Sequence, residues 1–139
     1  MGSNAQIGFG VVPWDQQAEQ ELALIADASE HLESWRQAWV EGRAQLWAMS
    51  DKEGRIGCVL WEVTFDDGAP HIHVMAAATA KAHAGATDAL YRAFTALKRA
   101  VGAAAVYCET MRPGLKLLLV QKGCEAVQIE PGKWGVRYV

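Results

Sequence analysis

His71 and His73 stand two residues apart in a stretch, HIHVM (71–75), where polar and apolar positions alternate. A period of two is that of a β-strand, so both imidazoles fall on one face. An unperturbed histidine titrates near neutrality, which suits it to take and give protons. Two histidines at this spacing can also form half of a metal site. No third ligand stands at a telling spacing, and no metal is expected. Plainer readings fit the same residues: one histidine exposed, the other packed under a helix. Beyond the strand lies a loop of small residues, Ala76–Ala84, and then a helix entry at Gly85. The first turn of a helix leaves backbone N–H groups without intrahelical acceptors, a ready site for phosphate. The plain alternative is an alanine-rich entry that packs a helix on a sheet.

The elements that must position these groups follow from periodicity. From Gly85 a stripe of Ala86, Leu90, Ala93, Phe94, Leu97 and Val101 marks an amphipathic helix, and Gly102 closes it. Upstream, Ile7–Trp14 reads as a first strand ended by Pro13, and Asp15 as the cap of a following helix. Gln16–Glu41 carries Leu22, Ile25, Leu32, Trp35 and Trp39 at helical spacing, with an interruption at Ser29 that predicts a bend or two helices. Ala44–Ser50 and Ile56–Phe65 read as strands joined through Glu53-Gly54, where glycine supplies a positive φ. A turn at Asp66–Pro70 leads into the histidine strand, completing a three-strand meander. Ala103–Thr110 is a fifth strand, reached by a helical crossover and so expected parallel to the fourth. A short helix over Leu115–Lys122 and strands at Glu125–Ile129 and Lys133–Val139 finish the chain.

Composition narrows the classes. The 139 residues form one domain over 6–139, long enough for a single sizeable core, while Met1–Ala5 reads as a cloning remnant. A net charge of −3 gives no electrostatic case for nucleic acid or an anionic membrane surface. No apolar run reaches the ~18 residues of a membrane span. Cys58, Cys108 and Cys124 are an odd number without CxxC spacing, so buried thiols in a reducing, cytoplasmic setting are expected.

Strand, helical pair, meander, helix, strand, helix, strand, strand: from Ile7 to Val139 this order resembles the GNAT acyl-CoA N-acyltransferase superfamily. Three local stretches resemble it too. SDKEGRIG (50–57) looks like the turn and strand start before the family's central strands. AHAGATDAL (82–90) lies where the family places R/Q-x-x-G-x-G/A followed by a leucine. LLVQKGC (118–124) sits where members often read L-Y-E-K-x-G-F. The resemblance implies an α+β, three-layer fold: a mixed, mostly antiparallel central sheet of about seven strands with helices on both faces. It implies acetyl-CoA as cofactor, held by Val74 and Ala76 of the fourth strand and by Ala82, His83, Ala84, Gly85, Ala86 and Thr87.

The motifs depart from the family pattern. Gly85 fills the first glycine position, but Ala82 replaces Arg/Gln and Thr87 the second Gly/Ala. Thr87 brings a β-branched side chain where space is needed, together with a hydroxyl able to donate to phosphate. Lys81 or His83 can restore the missing charge. Leu119 stands where members carry the tyrosine that protonates the leaving thiolate, and Tyr107 is the substitute on the fifth strand. Acyl transfer to an amine also needs a base, and His73 and Glu62 on neighbouring strands are the candidates. Trp35 and Trp39 lie on the helical pair that walls the acceptor cleft in the family. Two functions follow. One is an acyl-CoA-dependent N-acetyltransferase acting on a small-molecule or peptide amine. The other is a catalytically degenerate GNAT-fold protein of phage or prophage type, with a virion or other protein partner. A homodimer is compatible with both.

Overall fold

The computed structural model describes residues 6–80 and 83–139, so the expectations placed on Met1–Ala5, Lys81 and Ala82 lie outside the described residues. The elements are β1 (Gly8–Val11), α1 (Gln16–Leu22), α2 (Ala28–Val40), β2 (Ala44–Asp51), β3 (Gly54–Asp66) and β4 (Ala69–Thr79). They continue with α3 (Ala86–Val101), β5 (Ala105–Thr110), α4 (Pro113–Gln121), β6 (Glu125–Glu130) and β7 (Lys133–Tyr138). One seven-stranded sheet runs β1-β2-β3-β4-β5-β7-β6. Neighbours are antiparallel except β4 and β5, which are parallel as the crossover through α3 requires.

Alternation along the central strands feeds two cores. Leu46 and Leu60 point to one face, where they meet Leu22, Trp35 and Ala38 of α1 and α2. Val59, Trp61 and Ile72 point to the other and pack on Phe94 of α3. The sheet is thus covered on both sides by helices, as expected.

Local chemistry explains the boundaries. Asp15 caps α1 by accepting the Ala18 N–H at 2.7 Å. The break between α1 and α2 falls over 23–27 rather than at Ser29, which belongs to the first turn of α2. Glu21, the acidic residue near the end of α1, is buried and salt-bridged to Arg55 of β3 at 2.8 Å. Gly102 ends α3 in the left-handed region, φ 69°.

β4 corrects the expectation that strand character fades after Met75, for it continues to Thr79. Its alanines pair with β3 out to Gly57↔Thr79. Gly57 makes this possible, since a Cβ there would lie 2.1 Å from the Ala78 carbonyl oxygen. Close backbone approach, rather than β propensity, holds the alanine run in the sheet.

Candidate active site

Register places the three predicted catalytic residues in one row: Glu62 of β3 opposes His73 of β4, which opposes Tyr107 of β5. His73 Nδ1 lies 3.1 Å from Glu62 Oε2. A carboxylate only accepts, so Nδ1 carries the proton and Nε2 keeps its lone pair. Arg43, at the head of β2, stands 3.7 Å from the other Glu62 oxygen. The His73 side chain remains 33% exposed and lines a cleft of about 640 Å³. His71 goes elsewhere: its Nδ1 bonds the Ala69 carbonyl at 3.1 Å and it does not line the cleft.

The cleft exists because β4 and β5 part. Their pairing ends at Val74↔Cys108, although β4 runs on to Thr79 and β5 to Thr110. The same place carries a bulge: the register shifts between Leu60↔Ala76 and Trp61↔Val74, leaving Met75 without a partner on β3. Met75 and Ala76 therefore both pack toward α1 and α2, while Val74 and Ala77 pack toward α3. Among the described residues, the β5-side edge of β4 pairs with no strand beyond Val74, and Met75–Thr79 line the opening. Cys108 lines the cleft at its apex, and burial pushes its thiol up to about 12.

Opposite His73, α2 supplies a wall that sequence reading found only in part. Trp35, buried and stacked on His31 at 5.6 Å between ring centroids, lines the cleft. Trp39 packs on Trp14 instead. Asp27, His31, Glu109 and Lys133 were missed. Lys133 Nζ reaches Asp27 at 3.1 Å and Glu109 at 3.5 Å, tying the start of α2 to β5 and β7. Burial by itself would push the Asp27 carboxyl up, but the Lys133 hydrogen bond and charge, with His31, hold it below its ordinary value. No sequence signal links Asp27 to a lysine 106 positions later; the fold alone brings them together.

Tyr107 shares the row with His73, at 5.7 Å between ring centroids, but its hydroxyl donates to Glu109 at 2.9 Å and does not reach the cleft. Burial and the Glu109 carboxylate push it up to about 12. The ring lies over Gly135, where a Cβ would meet the hydroxyl at 2.7 Å. Leu119 of α4 does line the cleft, and a leucine has no proton to give.

Of the predicted cofactor residues, Val74, Ala76 and Thr87 line the cleft, while His83, Ala84, Gly85 and Ala86 do not. Val74 marks the last paired position, Ala76 follows the bulge, and Thr87 lines the cleft from the first turn of α3. Ala84 is exposed and Ala86 buried. The Gly85 N–H donates to His83 Nδ1 and the Ala86 N–H to the His83 carbonyl. Among the described residues, the N–H groups of Thr87 and Asp88 have no backbone acceptor. The Asp88 carboxylate, which would oppose an anion there, is neutralised by Lys122 at 2.6 Å and Arg92 at 2.7 Å. A parted pair of parallel strands, a bulge at the fork and free helix N–H groups together fit an extended thioester cofactor bearing phosphates.

Solved structures share this fold. An IAA acetyltransferase from Bacillus cereus superposes with a TM-score of 0.70 at 15% identity, over 95% of this chain and 98% of its own. A GNAT family acetyltransferase from Elizabethkingia anophelis with acetyl-CoA bound gives 0.71 at 13% identity, over 97% of both chains. A Bacillus subtilis acetyltransferase in complex with CoA gives 0.68 at 11%, over 95% of this chain and 96% of its own. The chain has the GNAT acetyltransferase fold. No family profile and no curated protein matches it.

Proposed function

We propose that the protein is an acyl-CoA-dependent N-acyltransferase, with acetyl-CoA as cofactor and a small-molecule or peptide amine as acceptor. The observation that carries this reading is the Glu62–His73 pair opening onto the fork where β4 and β5 part. When bound, acyl-CoA supplies an acyl group activated as a thioester, which the amine attacks with loss of the thiol. Backbone groups from Val74 to Ala76 and the N–H groups of Thr87 and Asp88 would hold it. His73 Nε2 takes the proton of the acceptor ammonium, directly or through one water. Glu62 fixes the tautomer and balances the imidazolium that forms. Leu119 in the cleft has no proton to give and the Tyr107 hydroxyl is held by Glu109, so neither would protonate the departing thiolate, whose proton would come from solvent.

The three free cysteines support a reducing, cytoplasmic setting. The exposed Leu117 and Leu118 of α4, and the exposed Val127 and Ile129 on the edge strand β6, support a homodimer. Light scattering that reads one copy at every concentration would exclude it.

Calorimetry with acetyl-CoA, followed by turnover on a broad amine panel, tests the main reading. Binding that Gly85→Arg abolishes, with acetylated product, supports it. No heat at millimolar ligand defeats it. Binding without turnover leaves the degenerate, protein-contact alternative as the better account.

A further inference from the structure

We propose that His83, as a neutral imidazole protonated on Nε2, is the positioning residue that sets the entry of α3. Its Nδ1 accepts the Gly85 N–H at 3.2 Å. Only an unprotonated ring nitrogen accepts, so the ring proton lies on Nε2. Nε2 stands 3.3 Å from Asp51 Oδ2, a carboxylate oxygen ready to receive that proton's hydrogen bond. Asp51 is itself fixed at the β2–β3 turn, where Oδ1 accepts the Glu53 N–H at 2.8 Å. The Glu53 bond, and then His83, hold the Asp51 carboxyl below its ordinary value, so it stays an acceptor. The His83 carbonyl meanwhile accepts the Ala86 N–H at 3.1 Å.

One residue therefore ties the β2–β3 turn to the two backbone donors that open α3. The consequence lies one step along the chain. With Gly85 and Ala86 committed to His83, the N–H groups left for an anion are those of Thr87 and Asp88. Side chain and backbone of His83 together decide which donors of the helix entry face outward. Among the described residues, Asp51 of β2 is the charged group in contact with the imidazole.

Protonation undoes the arrangement. An imidazolium carries N–H on both nitrogens, so Nδ1 faces the Gly85 N–H donor to donor. The Asp51 contact survives and gains charge, while the Gly85 contact becomes repulsive. Acid should therefore release the start of α3 from the strut without detaching His83 from the hairpin. This part stands on the geometry of the free protein. Only its effect on acetyl-CoA rests on the function proposed above.

The test uses the full chain. Two-bond ¹⁵N–¹H spectra of labelled histidine should show the Nε2–H tautomer of His83 near pH 8. Amide exchange at Gly85 should be protected there and lose that protection once Nδ1 carries a proton. Calorimetry with acetyl-CoA should find binding weakened about tenfold in His83→Ala, the scale of one lost hydrogen bond. His83→Asn, whose side-chain oxygen can accept from Gly85, should restore most of that loss. Phosphates titrate near pH 6, so the acid effect is read as a difference. The parent should lose more affinity than His83→Asn between about pH 8 and about pH 5.5. An Nδ1–H tautomer overturns the proposal, as does a Gly85 amide equally protected in His83→Ala. Equal pH slopes for the parent and His83→Asn overturn it too. Should acetyl-CoA bind at no pH, the acyltransferase reading falls, while tautomer and amide exchange still decide the strut.

Discussion

In the proposed reaction His73 is the base, since its other nitrogen is already held by Glu62. The Glu62 contact at 3.1 Å assigns the proton to Nδ1 and leaves the Nε2 lone pair free on a side chain that lines the cleft. General-base assistance is worth about 10²–10⁴-fold, so His73→Ala should lower kcat/KM by that factor with acetyl-CoA affinity retained. Glu62→Gln keeps an acceptor for Nδ1–H and loses only the charge, so it should cost less than His73→Ala. Equal losses would mean that Glu62 acts as the base itself. Tyr107→Phe should cost far less than either, because its hydroxyl is bound to Glu109 and its ring does not line the cleft. A Tyr107→Phe loss as large as that of His73→Ala would instead make the tyrosine the acid.

At the scale of elements, the site depends on how β4 is clamped. β3 holds it on one side through the close approach at Gly57, and β5 releases it on the other after Val74. Gly57→Ala would place a methyl 2.1 Å from a backbone oxygen, which side-chain rotation cannot relieve. It should destabilise by about 1–3 kcal/mol, read as a lower urea midpoint at unchanged slope. A second clamp joins α1 to β3, where Arg55 meets the buried Glu21 at 2.8 Å and Asp15 at 3.2 Å. Burial works against the Arg55 charge, but these two carboxylates together raise it above its ordinary value. Arg55→Met would leave Glu21 buried without its cation, at a cost of about 3–5 kcal/mol. Adding Glu21→Met should recover much of that loss, since an apolar pair strands no charge. A double variant no more stable than Arg55→Met would refute this account.

For the whole molecule, the ion pairs that bridge distant elements set the response to pH. Among the described residues, four carboxyls, those of Asp27, Glu41, Asp51 and Asp88, sit below their ordinary values in the folded chain. Asp27 does so against its burial through Lys133, Asp51 through the Glu53 N–H, and Asp88 through Lys122. The unfolded chain therefore takes up protons first on acidification. Stability from these groups is full above about pH 4 and drains as pH falls through the depressed values. Lys133 is raised, chiefly by its hydrogen bond to Asp27. Its contribution is full below about pH 10 and is lost as pH rises through the raised value. Urea midpoints should thus fall on both sides of a neutral plateau. Lys133→Met should lower the plateau and weaken both slopes. Slopes that stay as steep as the parent's would remove the Asp27–Lys133 bridge from the account.

Much of this molecule is local in origin and so legible in the residues. The two-residue period of HIHVM, the stripe from Leu90 to Val101, the cap at Asp15 and the left-handed Gly102 each answer to neighbours a few positions away. Element order then limited the topology, because a helical crossover forces β4 and β5 parallel. His73 and Glu62 were visible as types on adjacent strands. What remained hidden depends on separations that no local pattern encodes. The extension of β4 to Thr79 rests on a glycine 22 positions earlier in the chain, and the alanines alone argue against it. The Met75 bulge is a mismatch between two strands and belongs to neither sequence. Asp27 found Lys133 only when the sheet closed. His83 was read as a spare charge for phosphate, and folding committed it to Asp51 and Gly85. Sequence by itself determined which elements form and which chemistry they carry. Tertiary structure decided which polar groups satisfy one another, because a buried donor or acceptor must find a partner wherever the chain brings one.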